Sequence, residues 1–220
     1  MTINKQHISK PPMNELERLD AMLLYERSAA DLGYRLIAGI DEAGRGPLAG
    51  PVVSAAIILP GNYYPEKLND SKLLSARVRD SLYERLTRDA VAWGVGVCDS
   101  REIDAINILN ATVKSMERAL GALAFQPDYL LVDAMTLKNM QIAQKSIIKG
   151  DRLSMSIAAA SVIAKVTRDR MMQIYDGIYP GYGFAKHKGY GTAEHMENIR
   201  KLGLSPIHRS TFCKFYPFNA

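Results

Sequence analysis

Residues 36–59 read LIAGIDEAGRGPLAGPVVSAAIIL, an apolar run that leads directly into Asp41 and Glu42 and then into a glycine-rich turn. The pattern predicts a buried strand over Leu36 to Ile40 and a second, β-branched strand over Val52 to Leu59. The acidic pair then sits near the inner end of a hairpin. Burying one carboxylate without a cation is costly, and burying two adjacent ones is more so. Two compensations stay open. One is a salt bridge to Arg45 with Glu42 facing solvent; the other is a divalent metal, which requires further carboxylates elsewhere. Gly44, Arg45 and Gly46 add a second feature, because glycines flanking an arginine let backbone approach a ligand closely. Exposed N–H groups beside a guanidinium suit phosphate, although the same tripeptide also serves as an ordinary turn with a surface Arg.

Working outward, 220 residues accommodate one α/β domain with a small appendage, or two small domains. With 47% hydrophobic and 23% charged residues, the body of the chain has a globular composition rather than a disordered one. The 28 Lys and Arg against 23 Asp and Glu give a net charge of +5, which favours a polyanionic partner. Cys98 and Cys213 show neither a paired framework nor CxxC spacing, as expected of a reduced, intracellular protein. No signal-peptide core and no bilayer-length apolar run are present. The expected location is cytoplasmic, with no membrane partner.

Residues 1 to 12 read as a loose tail, and Asn14 with Glu17 as a capping box opening a helix that Gly33 ends. Asn69-Asp70-Ser71-Lys72 precedes a helix from Ala76 to Arg88; Asp70 and Ser71 read as turn or capping residues, while Lys72 is a candidate for facing phosphate. Ala90 to Cys98 is a strand, and helical sequence follows from Asp99-Ser100 through Leu120. Pro127 to Val132 is a further strand that again ends on a carboxylate, Asp133. A strand-terminal Asp serves commonly as a loop cap, yet neighbouring strand ends form the ligand crevice of open α/β sheets. Gln144 to Ile148 is a short strand, after which Asp151 stands where a helix N-cap or a metal ligand belongs. That helix runs to about Tyr175, with Lys165 and Arg168 read as surface or nucleic-acid backbone contacts. Around and beyond Pro180, Tyr179, Tyr182, Phe184 and Tyr190 interleave with Lys186, Lys188, Arg200, Lys201 and Arg209. Such interleaving suits base stacking with phosphate contact, or packing of the appendage. His187, His195 and His208 lack a compact zinc spacing.

Asp41, Glu42, Asp133 and Asp151 thus stand at strand ends or a helix start. Hard, oxygen-rich sites bind Mg²⁺ or Mn²⁺, and two such ions about 3.5 to 4 Å apart promote phosphodiester hydrolysis. A basic chain with an acidic centre points to a nuclease.

Here the sequence resembles ribonuclease HII, the type 2 ribonuclease H family. GIDEAGRGPLAGPV, NDSK, EIDAINIL, YLLVDA, KGDRLSMSIAAASVIAKVTRDR and the GYGFAKHKGYGT region occur in family order across roughly Tyr34 to Phe212. The resemblance implies an α/β, ribonuclease H-like fold: a central five-stranded mixed sheet, flanking helices and a small C-terminal helical extension. It divides the chain into an N-terminal tail and helix (1–33), a catalytic domain (34–179) and a substrate-binding extension (180–220). It implies that Asp41, Glu42, Asp133 and Asp151 are catalytic and hold two divalent ions, Mn²⁺ or Mg²⁺. It also implies that Gly44, Arg45 and Gly46 read the ribonucleotide and that Tyr190 stacks on the neighbouring deoxyribose. The implied activity is cleavage of the RNA strand of RNA–DNA hybrids and incision 5′ to single ribonucleotides in duplex DNA, leaving 3′-hydroxyl and 5′-phosphate ends. The expected partner is that nucleic acid, bound by a monomer; a sliding clamp is an open partner without support in the sequence. Phe215, Tyr216 and Phe218 are expected to pack locally. A junction-resolving nuclease of the same fold and a non-catalytic nucleic-acid-binding protein remain the alternatives.

Overall fold

The structure, a computed structural model, describes residues 14–214. The tail before Asn14 and the aromatic cluster at Phe215, Tyr216 and Phe218 lie outside the described residues. Five strands form one mixed sheet in the order β3-β2-β1-β4-β5: β1 (Ile37–Ala43), β2 (Val52–Ile58), β3 (Ala92–Cys98), β4 (Tyr129–Asp133) and β5 (Ala143–Ile147). β1 to β3 form an antiparallel meander, while β4 joins β1 and β5 joins β4 in parallel. The expected five-stranded mixed sheet is present.

Helices cover both faces. α6 (Met155–Ile178) lies across β1 and β2 on one side, and α4 (Ser100–Gly121) packs on β2 and β3 on the other. This explains why β2, VVSAAII, is buried at every position and reads as an unbroken apolar run rather than an alternating one. α6 gets close enough because Gly39 faces it: a Cβ there would stand 2.1 Å from the Ser156 carbonyl carbon. The face under α6 is completed by α3 (Ala76–Asp89) and the N-terminal helices, with Leu19, Leu82, Leu86, Ile163 and Val166 in one cluster. Each such aliphatic side chain contributes about 1.5–3 kcal/mol on burial.

Local chemistry sets the helix ends. The Asn14–Glu17 capping box is formed as expected, but the helix breaks at Met22 and Leu23 into α1 (Glu15–Ala21) and α2 (Leu24–Asp31). α4 is kinked at Asn107, whose φ of 65° interrupts the helix and whose side chain caps Asn110 N–H at 3.1 Å. The expected N-cap role of Asp151 is corrected. Asp151 lies inside a separate four-residue turn, α5 (Gly150–Leu153), and Ser154 caps α6 through the N–H of Ile157. The C-terminal part forms α7 (Phe184–His187) and α8 (Ala193–Leu202). Asp104 fastens its end to α4, accepting from the N–H and hydroxyl groups of Ser210 and Thr211 at 2.6–3.0 Å. Among the described residues no helix is long and apolar enough to cross a membrane.

Candidate active site

β1 runs through Asp41 and Glu42 to Ala43, so both acids belong to the strand and stay paired with β2. Ile40 pairs with Val132 in parallel register, which sets the next residues, Asp41 and Asp133, side by side at the carboxyl ends of the two strands. That is where open α/β sheets place their chemistry. Asp133 Oδ1 accepts the Gly150 N–H at 2.7 Å, tying the turn that carries Asp151 to the end of β4. Gly150 packs closely there: a Cβ would meet the Ile157 Cδ1 methyl at 2.5 Å and come within 3.3 Å of Asp133 Oδ1. Asp151 lies 3.4 Å from Lys72 Nζ.

The electrostatics of this corner are unfavourable for the chain alone. Asp41 is 3% exposed; burial first, then the charges of Glu42 and Asp133, drive its pKa well above the usual carboxylate range. Glu42 is raised mainly by burial, with Arg45 opposing and Asp133 adding to the rise. Asp133 is likewise raised by burial, which the Gly150 N–H resists and the Asp151 charge reinforces. Lys72 has its own pKa raised, because Asp151, Asp70 and Asp41 outweigh its desolvation. The Arg45 salt bridge exists, at 3.4 Å from Glu42 Oε1. It is not sufficient: the Glu42 side chain is only 12% exposed rather than solvent-facing, and its Oε2 is buried without a partner.

Among the described residues, no three His, Cys, Asp or Glu side chains stand together closely enough to hold a metal ion as they are. The donor set still fits a hard divalent cation. Mg²⁺ takes one or two carboxylates and keeps several waters, so it requires no closed protein cage. A cation would also relieve the orphaned Glu42 oxygen and the mutual repulsion of Asp41, Glu42 and Asp133.

Beside the acids a cleft of about 250 Å³ brings together Glu42, Gly44, Arg45, Gly46, Lys72 and Tyr190. Among the described residues, the N–H groups of Arg45 and Gly46 find no acceptor within the chain. These two donors and the Arg45 guanidinium are what a phosphate or hydroxyl needs. Tyr190 is 45% exposed, and a Cβ on Gly46 would come within 3.9 Å of its ring. The other aromatics of the C-terminal part behave as packing: Phe184 is buried, with Tyr182 stacked on it at 5.2 Å.

Three histidines, too far apart in sequence for a zinc motif, meet behind Tyr190. The Ser205 N–H donates to His208 Nδ1 at 2.8 Å, so the His208 proton is on Nε2. It is donated to His195 Nε2 at 3.1 Å, leaving His195 Nδ1–H for the Tyr190 carbonyl at 2.9 Å. His187 stacks on His195 with ring centroids 4.3 Å apart. Burial, chiefly, pushes His195 and His208 down to about 4.

Several participants escaped the sequence reading. Asp70 forms the expected turn, accepting the Lys72 N–H at 3.0 Å, but it is also buried and paired with Arg152 at 3.0 Å beside Asp151. Burial would raise its pKa; the Lys72 N–H and Arg152 outweigh that and hold it below the usual value. Arg168 corrects the expectation of a surface or backbone-contacting cation, being 1% exposed and bonded to main-chain carbonyls. Its spacing from Ser161, Ala164 and Met172 on the buried stripe of α6 was the available signal. Arg209, also fully buried, had none.

The chain matches the family model described as Ribonuclease HII over residues 38–215. It is 56% identical over 200 residues to a protein of Acetivibrio thermocellus named Ribonuclease HII, covering 91% of this chain and 78% of that one. Among solved structures, it is similar to the ribonuclease H2 of Pyrococcus horikoshii, with a TM-score of 0.67 and 27% identity over 80% of this chain and 93% of that one. It is also similar to a chain of the PCNA:RNase HII complex from Archaeoglobus fulgidus, with a TM-score of 0.64 and 26% identity over 76% and 87% of the two chains.

Proposed function

We propose, on the premise that this chain belongs to the ribonuclease HII family and is a ribonuclease acting on RNA–DNA hybrids, that it also incises duplex DNA on the 5′ side of a single embedded ribonucleotide. The observation that carries this reading is the cleft itself, where Glu42, next to Asp41 at the end of β1, lines the same space as a glycine-flanked arginine and two unused N–H donors. Discriminating RNA from DNA requires contact with the 2′-hydroxyl. The turn at Gly44, Arg45 and Gly46 would grip the ribonucleotide and its phosphate, and Tyr190 would lie against the next deoxyribose.

Asp41, Glu42 and Asp133 would hold one divalent cation, with Asp41 and Asp151 sharing a second. Two Mg²⁺ or Mn²⁺ ions, when bound, supply activation of the attacking water and stabilisation of the leaving oxygen. The chain's own residues do the rest. Asp133 keeps the Asp151 turn in place through Gly150 N–H. Lys72, between Asp151 and the cleft, would meet the phosphate backbone. No side chain is needed as a nucleophile, and the ends left would be 3′-hydroxyl and 5′-phosphate. Residues 180–220 would act as the substrate-binding extension of a monomer. Cys98 and Cys213, both buried free thiols, agree with action in the reducing cytoplasm.

The test is cleavage of a labelled duplex with one ribonucleotide, beside an all-DNA duplex, with Mg²⁺, Mn²⁺ or chelator. A single metal-dependent cut 5′ to the ribonucleotide is expected. Equal cutting of all-DNA would favour a junction-resolving nuclease, and absence of cleavage a binding protein.

A further inference from the structure

We propose that Arg168 is a positioning residue that fixes the spacing between the Arg45 turn and Tyr190, and thereby sets the preference for a lone ribonucleotide over a continuous hybrid. The inference rests on the reading that these two elements contact the ribonucleotide and its neighbour.

Arg168 is 1% exposed and has no carboxylate partner among the described residues. Its guanidinium donates instead to main-chain carbonyls of two separate segments. Nε reaches Pro51 O at 2.9 Å and Nη2 reaches Ala49 O at 3.1 Å, both in the loop that follows the Arg45 turn. Nη1 reaches Lys188 O at 3.0 Å, two residues before Tyr190. The Tyr190 ring centroid lies 6.0 Å from the guanidinium carbon. The segments also touch directly, with Leu48 N–H donating to Gly189 O at 2.8 Å.

Space around the guanidinium is kept by glycines. A Cβ on Gly44 would stand 2.0 Å from Arg168 Nε, and Gly44 has a φ of +96°, so both conformation and room require glycine there. Arg209 braces the same loop from within, donating to Gly44 O at 2.5 Å, Arg45 O at 2.8 Å and Gly50 O at 3.0 Å. Arg209 holds the loop alone, whereas Arg168 bonds both segments. A planar fork of donors can do this, and a lysine ammonium, a point charge with three donors, cannot match the same carbonyls.

The catalytic acids are anchored elsewhere, Asp41 and Glu42 in β1, Asp133 at the end of β4 and Asp151 in α5, and Arg168 bonds none of them. Loosening Arg168 would therefore shift the two reading elements relative to each other without moving the acids. A continuous RNA strand offers a ribonucleotide in every register and tolerates that shift. A lone ribonucleotide offers one register and does not, and a displacement of about 1 Å at a reacting centre can cost roughly a hundredfold in rate.

Arg168→Lys, Arg168→Gln, Tyr190→Ala and the double variants would be compared by kcat/KM on a duplex with one ribonucleotide and on a long RNA–DNA hybrid, with melting curves on the same samples. Arg168→Gln removes the buried charge and guards against misfolding of the lysine variant. The expected result is a fall of about tenfold in the single-ribonucleotide to hybrid ratio, with no further fall when Tyr190 is already Ala. Equal loss on both substrates, or losses that multiply with Tyr190→Ala, would overturn the role of Arg168. If Tyr190→Ala leaves the ratio unchanged, the reading of Tyr190 fails and the proposal falls with it.

Discussion

Asp41→Asn should abolish turnover and yet make the metal-free protein more stable. Asn has the shape of Asp, and its Oδ1 can keep the Glu42 N–H bond, 2.7 Å in the wild type. What disappears is a charge that is 3% exposed and faces Glu42 and Asp133. At an effective dielectric near 20, two like charges about 4 Å apart repel by roughly 4 kcal/mol, and the repulsion falls with distance. Attraction to Lys72 and partial protonation offset some of this, leaving about 2 kcal/mol, or roughly 4–8 °C in melting temperature for a domain of this size. The sign follows from linkage. Wild-type Asp41 has a folded pKa above its unfolded value, so the folded state binds more protons and stability is lost as pH rises from about 4 through the raised value. The variant lacks that loss. Melts in chelator should therefore show the largest gain near pH 8 and almost none near pH 4. Added Mg²⁺ or Mn²⁺ should stabilise the wild type more than the variant, since only the former retains the full ligand set. A variant that melts below the wild type in chelator at pH 8, or a pH-independent difference, would refute the picture of uncompensated carboxylates.

Lys72→Ala should change stability by less than about 1 kcal/mol, because the Lys72 side chain is 74% exposed and its contact with Asp151 is long. The same change should weaken hybrid binding and lower the salt slope of affinity by about one, measured by anisotropy in chelator; an unchanged slope would remove Lys72 from the interface. Gly39→Ala should cost about 3 kcal/mol or more, since the added methyl meets the Ser156 and Ile157 main chain at 2.1–2.5 Å and no rotamer can relieve it. A melting temperature within 2 °C of wild type would mean that α6 crosses β1 less closely than described.

The parts of this site that could be read from sequence were those whose signal is local. Asp41 and Glu42 stood out because acids interrupt an apolar run, and Asp133 because a second strand ends the same way; the sheet places Asp41 and Asp133 side by side. Asp151 was ambiguous, and the capping role went to Ser154 because the extended backbone at Ser154 interrupts the helix between α5 and α6. The strands were legible as short apolar runs, β-branched in β2 and small-residue in β3, whereas the breaks at Met22 and Asn107 were not, since no Pro or Gly marks either one. Arg168 and Arg209 lay beyond local reading for a physical reason. Their partners are carbonyls, most of them more than a hundred residues away, and a backbone carbonyl leaves no mark in the sequence.

The histidine chain behind Tyr190 bears on how the protein meets changes in acidity. Each ring nitrogen in the sequence Ser205, His208, His195, Tyr190 already has its role assigned by a neighbour, so an extra proton has no acceptor left to occupy. With His195 and His208 held at about 4, neither gains charge over the range of about pH 6–8 in which histidines ordinarily switch. The grip on a polyanion is thereby insulated from these two groups.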